Sequence, residues 1–167
     1  YEDYPNSGTF SHNNGNVDTE KYEEGIYVGY RDFDRFQVPG GYRFGFGLSY
    51  TDFALAVKEI TLSASDTVSV TVNVTNTGSS HSGKEVVQVY VSCPQDKMEK
   101  EYRRLAGFAK TKLLAPGEAQ DLTVEIPLYT LASYCAKTPG WVLEKGAYGL
   151  FVGNSIADAA LSGIVNL

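Results

Sequence analysis

The side chains that could carry chemistry are few. His12 and His81 are the only imidazoles, and both lie in Asn-, Ser- and Gly-rich stretches that read as solvated loops. A nucleophile needs an adjacent base, and the chain has neither a Gly-x-Ser-x-Gly elbow nor a Cys/His pair close in sequence, so no nucleophilic set assembles. Glycosidic chemistry needs two carboxylates with opposed roles, for which Glu23, Glu24, Asp32 and Asp34 are the available acids. Nothing around them separates one pKa from another, and Arg31, Arg35 and Arg43 lie among them, so they read as solvated or salt-bridged groups, with the arginines free to stack on nearby rings. Gly45-Phe46-Gly47 begins like a phosphate-cradling loop, but the third glycine and the strand-loop-helix setting are missing. Cys93 and Cys135 lack metal-ligand spacing, and no strand spacing obliges their Cα atoms to approach the roughly 4.4 to 6.8 Å of a disulfide, so two free thiols are expected. Asn73-Val74-Thr75 matches the N-glycosylation acceptor pattern on the polar face of a strand. No residue is assigned a catalytic, cofactor-binding or metal-ligating role.

Composition narrows the partners. The chain has 167 residues, 43% of them hydrophobic, which is enough to fill the core of one domain. Its net charge of −6 argues against nucleic acid as a partner. Apolar runs are short, and Tyr1-Glu2-Asp3-Tyr4 has neither a start methionine nor a basic region ahead of an apolar one. No membrane partner is expected, and the chain reads as a soluble piece of something longer, cytoplasmic or secreted. The unusual feature is aromatic: of twelve Tyr, eight Phe and one Trp, ten rings fall in residues 22–53.

The elements that must position these residues divide into two parts. Residues 1–21 are polar and rich in turn formers, with too few aliphatic side chains to offset their ordering entropy, and read as an extended arm. Residues 22–50 are aromatic and Gly-rich, with neither helical period nor sustained alternation, and read as an irregular segment that must lie against something. Beyond residue 50, alternation becomes regular. Val68, Val70, Val72 and Val74 interleave with polar residues, as do Val87, Val89 and Val91, each pattern predicting a strand with one buried face. Strands are also expected over 53–62, 105–114 and 122–126, one helical turn within 128–135, a hairpin joining 141–144 to 148–152, and a closing strand over 161–167. About eight short strands favour an all-β sandwich over βαβ units.

One ordered set of motifs goes further. Glu24-Gly25-Ile26-Tyr27-Val28-Gly29-Tyr30-Arg31, Phe44-Gly45-Phe46-Gly47-Leu48-Ser49-Tyr50, Gly83-Lys84-Glu85-Val86-Val87-Gln88-Val89-Tyr90-Val91, Leu105-Ala106-Gly107-Phe108 and Leu114-Ala115-Pro116-Gly117-Glu118 follow one another in an order that resembles glycoside hydrolase family 3 enzymes. The resemblance is to the junction between the second catalytic domain and the fibronectin type III-like domain of that group, which contains many β-glucosidases and β-xylosidases. It departs at Lys100-Glu101, where the family often has Arg-Pro, and at Cys135, where an aspartate is common. It implies an immunoglobulin/fibronectin type III-like sandwich over residues 53–167, with residues 1–52 as an arm and linker packing on catalytic domains. It also implies a nucleophile and acid/base outside this sequence, so an inactive chain serving an active hydrolase. Tyr27, Tyr30 and Phe33 are the candidate docking residues, expected to be left outward or covered by a second copy of the chain. Carbohydrate near the cleft rim is a further expected partner. The competing reading is a free-standing carbohydrate-binding module that stacks sugars on Tyr30, Phe36, Tyr42 or Trp141.

Overall fold

A computed structural model describes residues 23–167; the arm expected over 1–21, with His12, lies outside the described residues. Two antiparallel sheets face each other. One is three-stranded, in the order β1 (Phe53–Leu62), β2 (Thr67–Asn76), β5 (Ala119–Pro127). The other is four-stranded, in the order β4 (Arg104–Lys110), β3 (Val86–Ser92), β8 (Ala147–Gly153), β9 (Ala160–Asn166). The chain changes sheets between β2 and β3, returns between β4 and β5, and crosses again to β8, the interleaving of a β-sandwich.

Period-2 patterning builds the core directly. Val68, Val70, Val72 and Val74 point from β2 into the sandwich, with Val68 opposite Ile126, Val70 opposite Val124 and Val72 opposite Leu122 on β5. Val87, Val89 and Val91 on β3, with Leu150 and Val152 on β8, close the core from the other sheet. Each such aliphatic contributes about 1.5 to 3 kcal/mol relative to leaving it in water. At the end of β2 the buried Asn76 serves the turn that follows. Its Oδ1 accepts from Thr51 Oγ1 at 2.6 Å and from the Gly78 N–H at 3.0 Å, while its Nδ2 donates to the His81 and Leu114 carbonyls, both at 2.9 Å.

Several local expectations change. The third strand stops at Lys110 rather than Leu114: Thr111 still donates its N–H to the Glu85 carbonyl at 2.9 Å, but Lys112 and Leu113 are exposed and Leu114 makes only an isolated bridge to Gly83. The turn near 128 is a 3-10 turn, Leu128–Leu131, followed by the short strand β6 (Ser133–Cys135). The hairpin expected between 141–144 and 148–152 does not form. Instead β7 (Gly140–Val142) folds back on β6 as a separate two-stranded ribbon, and β8 is sandwiched between β3 and β9. The physical reason is burial: β8 carries Tyr148, Leu150 and Val152 into the core and must lie at the centre of a sheet, whereas Trp141 stays outside. The aromatic segment is also not wholly irregular, for it contains α1 (Tyr30–Phe36).

Tyr148, at the start of β8, is buried and donates its hydroxyl to the Glu144 carbonyl at 2.6 Å. Burial pushes its phenol up to about 12, so the hydroxyl remains a donor at ordinary pH. This is the tyrosine corner of immunoglobulin-like sandwiches. Tyr148→Phe leaves the ring in place but orphans that carbonyl, and it is expected to lower unfolding free energy by about 1 to 3 kcal/mol with an unchanged urea m-value.

Candidate functional site

The aromatic segment is a strap. Gly29, at φ 61, breaks the chain before α1, and Gln37, in the left-handed region at φ 54, ends it. Within the helix, Tyr30, Phe33 and Asp34 share one face through i, i+3 and i+4 spacing. That face meets the outer surface of the four-stranded sheet. The Leu105 N–H donates to the Tyr30 hydroxyl at 2.9 Å, and the Tyr30 ring stacks on Phe44 at 4.5 Å and meets Tyr90 edge-on at 6.2 Å. Arg103 provides the charged clamp. Its Nε donates to Asp34 Oδ2 at 2.9 Å and its Nη2 to Asp34 Oδ1, a bidentate pair in which both residues are buried. The same guanidinium donates to the Ala159 carbonyl at 3.0 Å and the Ile156 carbonyl at 3.3 Å, and lies over Phe151 at 5.0 Å and Tyr102 at 5.3 Å.

The strap explains why β3 is buried on both faces. Gln88 and Tyr90, the polar-side partners of the core valines, are only 6% and 0% exposed. Tyr90 donates to Gln88 Oε1 at 2.5 Å, Gln88 Nε2 donates to the Asn154 carbonyl at 2.6 Å, and the Ile156 N–H donates to the Phe44 carbonyl at 3.0 Å. Burial pushes the Tyr90 phenol well up, so this network stays protonated. Gly45 crosses directly over Gln88. Its φ of 83 suits glycine, and a Cβ there would collide with the Gln88 amide.

The residues singled out from sequence are distributed unevenly. Tyr27 is half-buried, donates to Glu99 Oε1 at 2.9 Å and contacts Phe36 edge-on at 5.6 Å. Tyr30 is turned inward, and Phe33 is half-buried beside a small cavity of about 360 Å³ shared with Val38 and Tyr42. The rings directed outward are Phe36, Tyr42, Phe46 and Tyr50, the last 92% exposed. Trp141 belongs to a different region, the β6–β7 ribbon. Among the acids, Asp34 is committed to Arg103, and burial pushes the Asp32 carboxyl up. Among the described residues, no hydrogen bond or ion pair brings a second carboxylate to either, and no group of three His, Cys, Asp or Glu could hold a metal. Arg31 pairs with Glu101 at 3.8 Å, and Arg35 lies over Phe36 at 6.0 Å. Both cysteines are free; Cys93 is buried and its thiol is pushed up by burial.

The charged connection between β3 and β4 turns out to be the second organising feature. Lys100 Nζ contacts Glu144 Oε1 at 2.7 Å in a sealed position and also donates to the Pro94 carbonyl at 2.5 Å. Glu144 Oε2 accepts from the Lys97 N–H at 3.3 Å, so one carboxylate fixes the loop to the start of β8. Arg104 ties the same loop to the ribbon: it pairs with Glu101 at 2.7 Å and donates to the Ala132 carbonyl at 3.1 Å and to Ser133 Oγ at 2.6 Å. Strap, loop and ribbon together border a cleft of about 1610 Å³ that includes Arg31, Glu101, Tyr134 and Trp141. Arg103 and Lys100 were indistinguishable from surface charge in the sequence. The aromatic and glycine content of residues 22–50 signals a segment that must lie against something, but not which groups hold it there.

Two outcomes follow from these contacts. Arg103→Met is expected to release the strap and speed hydrogen exchange at the Leu105 amide, which donates to Tyr30, with no rescue by Arg103→Lys because the fork cannot be replaced by a point charge. The hydrogen bond from Lys100 holds the Glu144 carboxyl below its usual range. The stability it contributes is therefore present above the unfolded-state carboxylate pKa and lost as pH falls through the lower folded value. Acid titration followed by circular dichroism should show that loss, and Lys100→Met should remove that part of the pH dependence.

Comparison with known proteins agrees with this architecture. Residues 85–156 match the fibronectin type III-like domain family. β-Glucosidase A of Butyrivibrio fibrisolvens is 42% identical over 183 residues, spanning 96% of this chain and 21% of that protein. The structure of a β-glucosidase from Paenibacillus barengoltzii is 43% identical with a TM-score of 0.85, covering 99% of this chain and 18% of its own. A glycoside hydrolase family 3 β-glucosidase from Bifidobacterium adolescentis gives a TM-score of 0.88 at 34% identity, covering 99% of this chain and 24% of its own. The chain spans about a fifth of the length of the relatives it matches, which are larger enzymes. Sheet order, tyrosine corner and sequence identity along nearly the whole chain converge: the chain belongs to the fibronectin type III-like accessory domains of glycoside hydrolase family 3.

Proposed function

We propose that this chain serves a β-glucosidase-type hydrolase as a structural sandwich, with residues 1–52 as the arm and linker facing the catalytic domains and residues 53–167 as the support that holds them. The whole enzyme would hydrolyse O-glycosyl bonds of β-glucosides, with nucleophile and acid/base supplied by segments outside this sequence. The observation that carries this is the two-sidedness of the strap. Its inner face is fixed by Arg103 and Tyr30, while Phe36, Tyr42, Phe46, Leu48 and Tyr50 are exposed together. Monomeric soluble proteins rarely leave such an apolar strip uncovered, and each ring is worth on the order of 2 kcal/mol when buried. Tyr27, Tyr30 and Phe33 belong to this docking segment as its braces: they hold the strap in shape so that its outer rings reach the neighbouring domain. In the isolated chain the same strip favours association of two copies by mass action.

The test is a chimera in which this chain replaces the corresponding segment of the Paenibacillus barengoltzii β-glucosidase, 43% identical to it. The chimera is expected to release nitrophenol from aryl β-glucosides, and this chain alone to release none. Replacing Tyr42 and Phe46 by serine should lower the chimera's melting temperature by several degrees while changing the isolated chain's far less, because these two exposed rings contact each other rather than a ring of the sandwich. Equal effects on both, or on neither, would exclude the outer rings as the docking surface.

A further inference from the structure

We infer that the cleft between strap, β3–β4 loop and β6–β7 ribbon is an accessory saccharide site that takes a β-linked gluco-oligosaccharide, with Trp141 as its stacking surface; the choice of sugar rests on the β-glucosidase reading above. The chain's single tryptophan is 75% exposed, although the core is built without one. It is not loosely held. Trp141 sits directly across the ribbon from Tyr134, the rings meet edge-on at 5.8 Å, and Arg104 pins the ribbon's first strand through Ala132 and Ser133. The T-shaped contact spends Tyr134 on orienting the indole and leaves the indole itself 75% exposed beside the cleft. Polar groups converge on the same space from other segments. Arg31 of α1 touches Glu101 only at 3.8 Å and is 39% exposed in its side chain, so its fork retains donors for hydroxyl groups; Lys97 borders the cleft from the β3–β4 loop. An apolar ring beside a few fixed polar groups matches a pyranose, which presents a C–H face and a rim of hydroxyls. A purely apolar partner would leave Arg31 and Lys97 desolvated and unpaired.

Because Trp141 is the only indole among twelve tyrosines, fluorescence excited at the red edge of the indole band, where phenols absorb little, reports on this cleft. Titration with cellotetraose is expected to give a saturable spectral change with a dissociation constant on the order of 1 mM. Arg31→Ala and Tyr134→Ala should each weaken binding about tenfold, whereas Tyr42→Ser, in the docking strip, should leave it unchanged. Trp141→Ala, followed by amide chemical shifts of the β3–β4 loop, should abolish the response, and Trp141→Phe should retain part of it. No saturable change with a folded chain overturns the site, as does a response that Trp141→Ala preserves. A spectral change that depends on protein concentration without sugar overturns it in favour of a second copy in the cleft. A failed titration with a working chimera removes the saccharide site and leaves the structural role standing; the reverse result removes the docking reading alone.

Discussion

The Arg103–Asp34 pair is the contact on which the rest of the arrangement depends. Four of the five guanidinium N–H groups are engaged, two with one carboxylate and two with backbone carbonyls, and aromatic rings lie beside it. Burying two charges is costly unless every polar atom is matched, and here the matching groups come from α1, the loop after β8 and the start of β4. Position is therefore specified at three places at once. A 28-residue stretch with few aliphatic side chains, residues 23–50, could not hold itself on a sheet by hydrophobic burial alone.

From that anchor the properties of β3 follow. A strand of alternating valines and polar residues ordinarily has one wet face, yet Gln88 and Tyr90 are sealed beneath the strap and satisfy each other and the chain above them. The core side of the sandwich and the strap side thus share one strand. Disturbing the strap exposes Tyr90, and displacing β3 removes the surface on which the strap lies. The second buried pair, Lys100–Glu144, does the same three residues earlier in the β3–β4 connection, where loop and ribbon shape the cleft.

What was legible in the sequence follows from these distinctions. Alternating valines on β2 and β3 announced the two sheets because a half-buried strand has a period that no other element shares. The misassigned hairpin at 141–152 shows the limit: two adjacent apolar runs separated by Lys145-Gly146 suggest a turn, but only the tertiary position of Tyr148 decides that β8 pairs with β3 and β9. Helix α1 is seven residues long and flanked by Gly29 and Gln37, too short to display a period among so many rings. Asp34 and Arg103 are 69 positions apart, and nothing local distinguishes either from a solvated charge. Sequence alone nominates Tyr27, Tyr30 and Phe33 from the aromatic segment but cannot separate rings facing the sandwich from rings facing away, because that separation is set by Tyr90 and Leu105 on the strands beneath.

The most direct measurement is a double-mutant cycle on Arg103→Met and Asp34→Asn, read as unfolding free energies of the chain in urea. If the pair anchors the strap, each single substitution leaves a buried partner unmatched, and the double variant loses less than the sum of the two, with a coupling of about 1 to 3 kcal/mol. A coupling near zero, with the two losses simply adding, would mean that the strap is held by its rings alone and that the charged clamp is incidental to the fold.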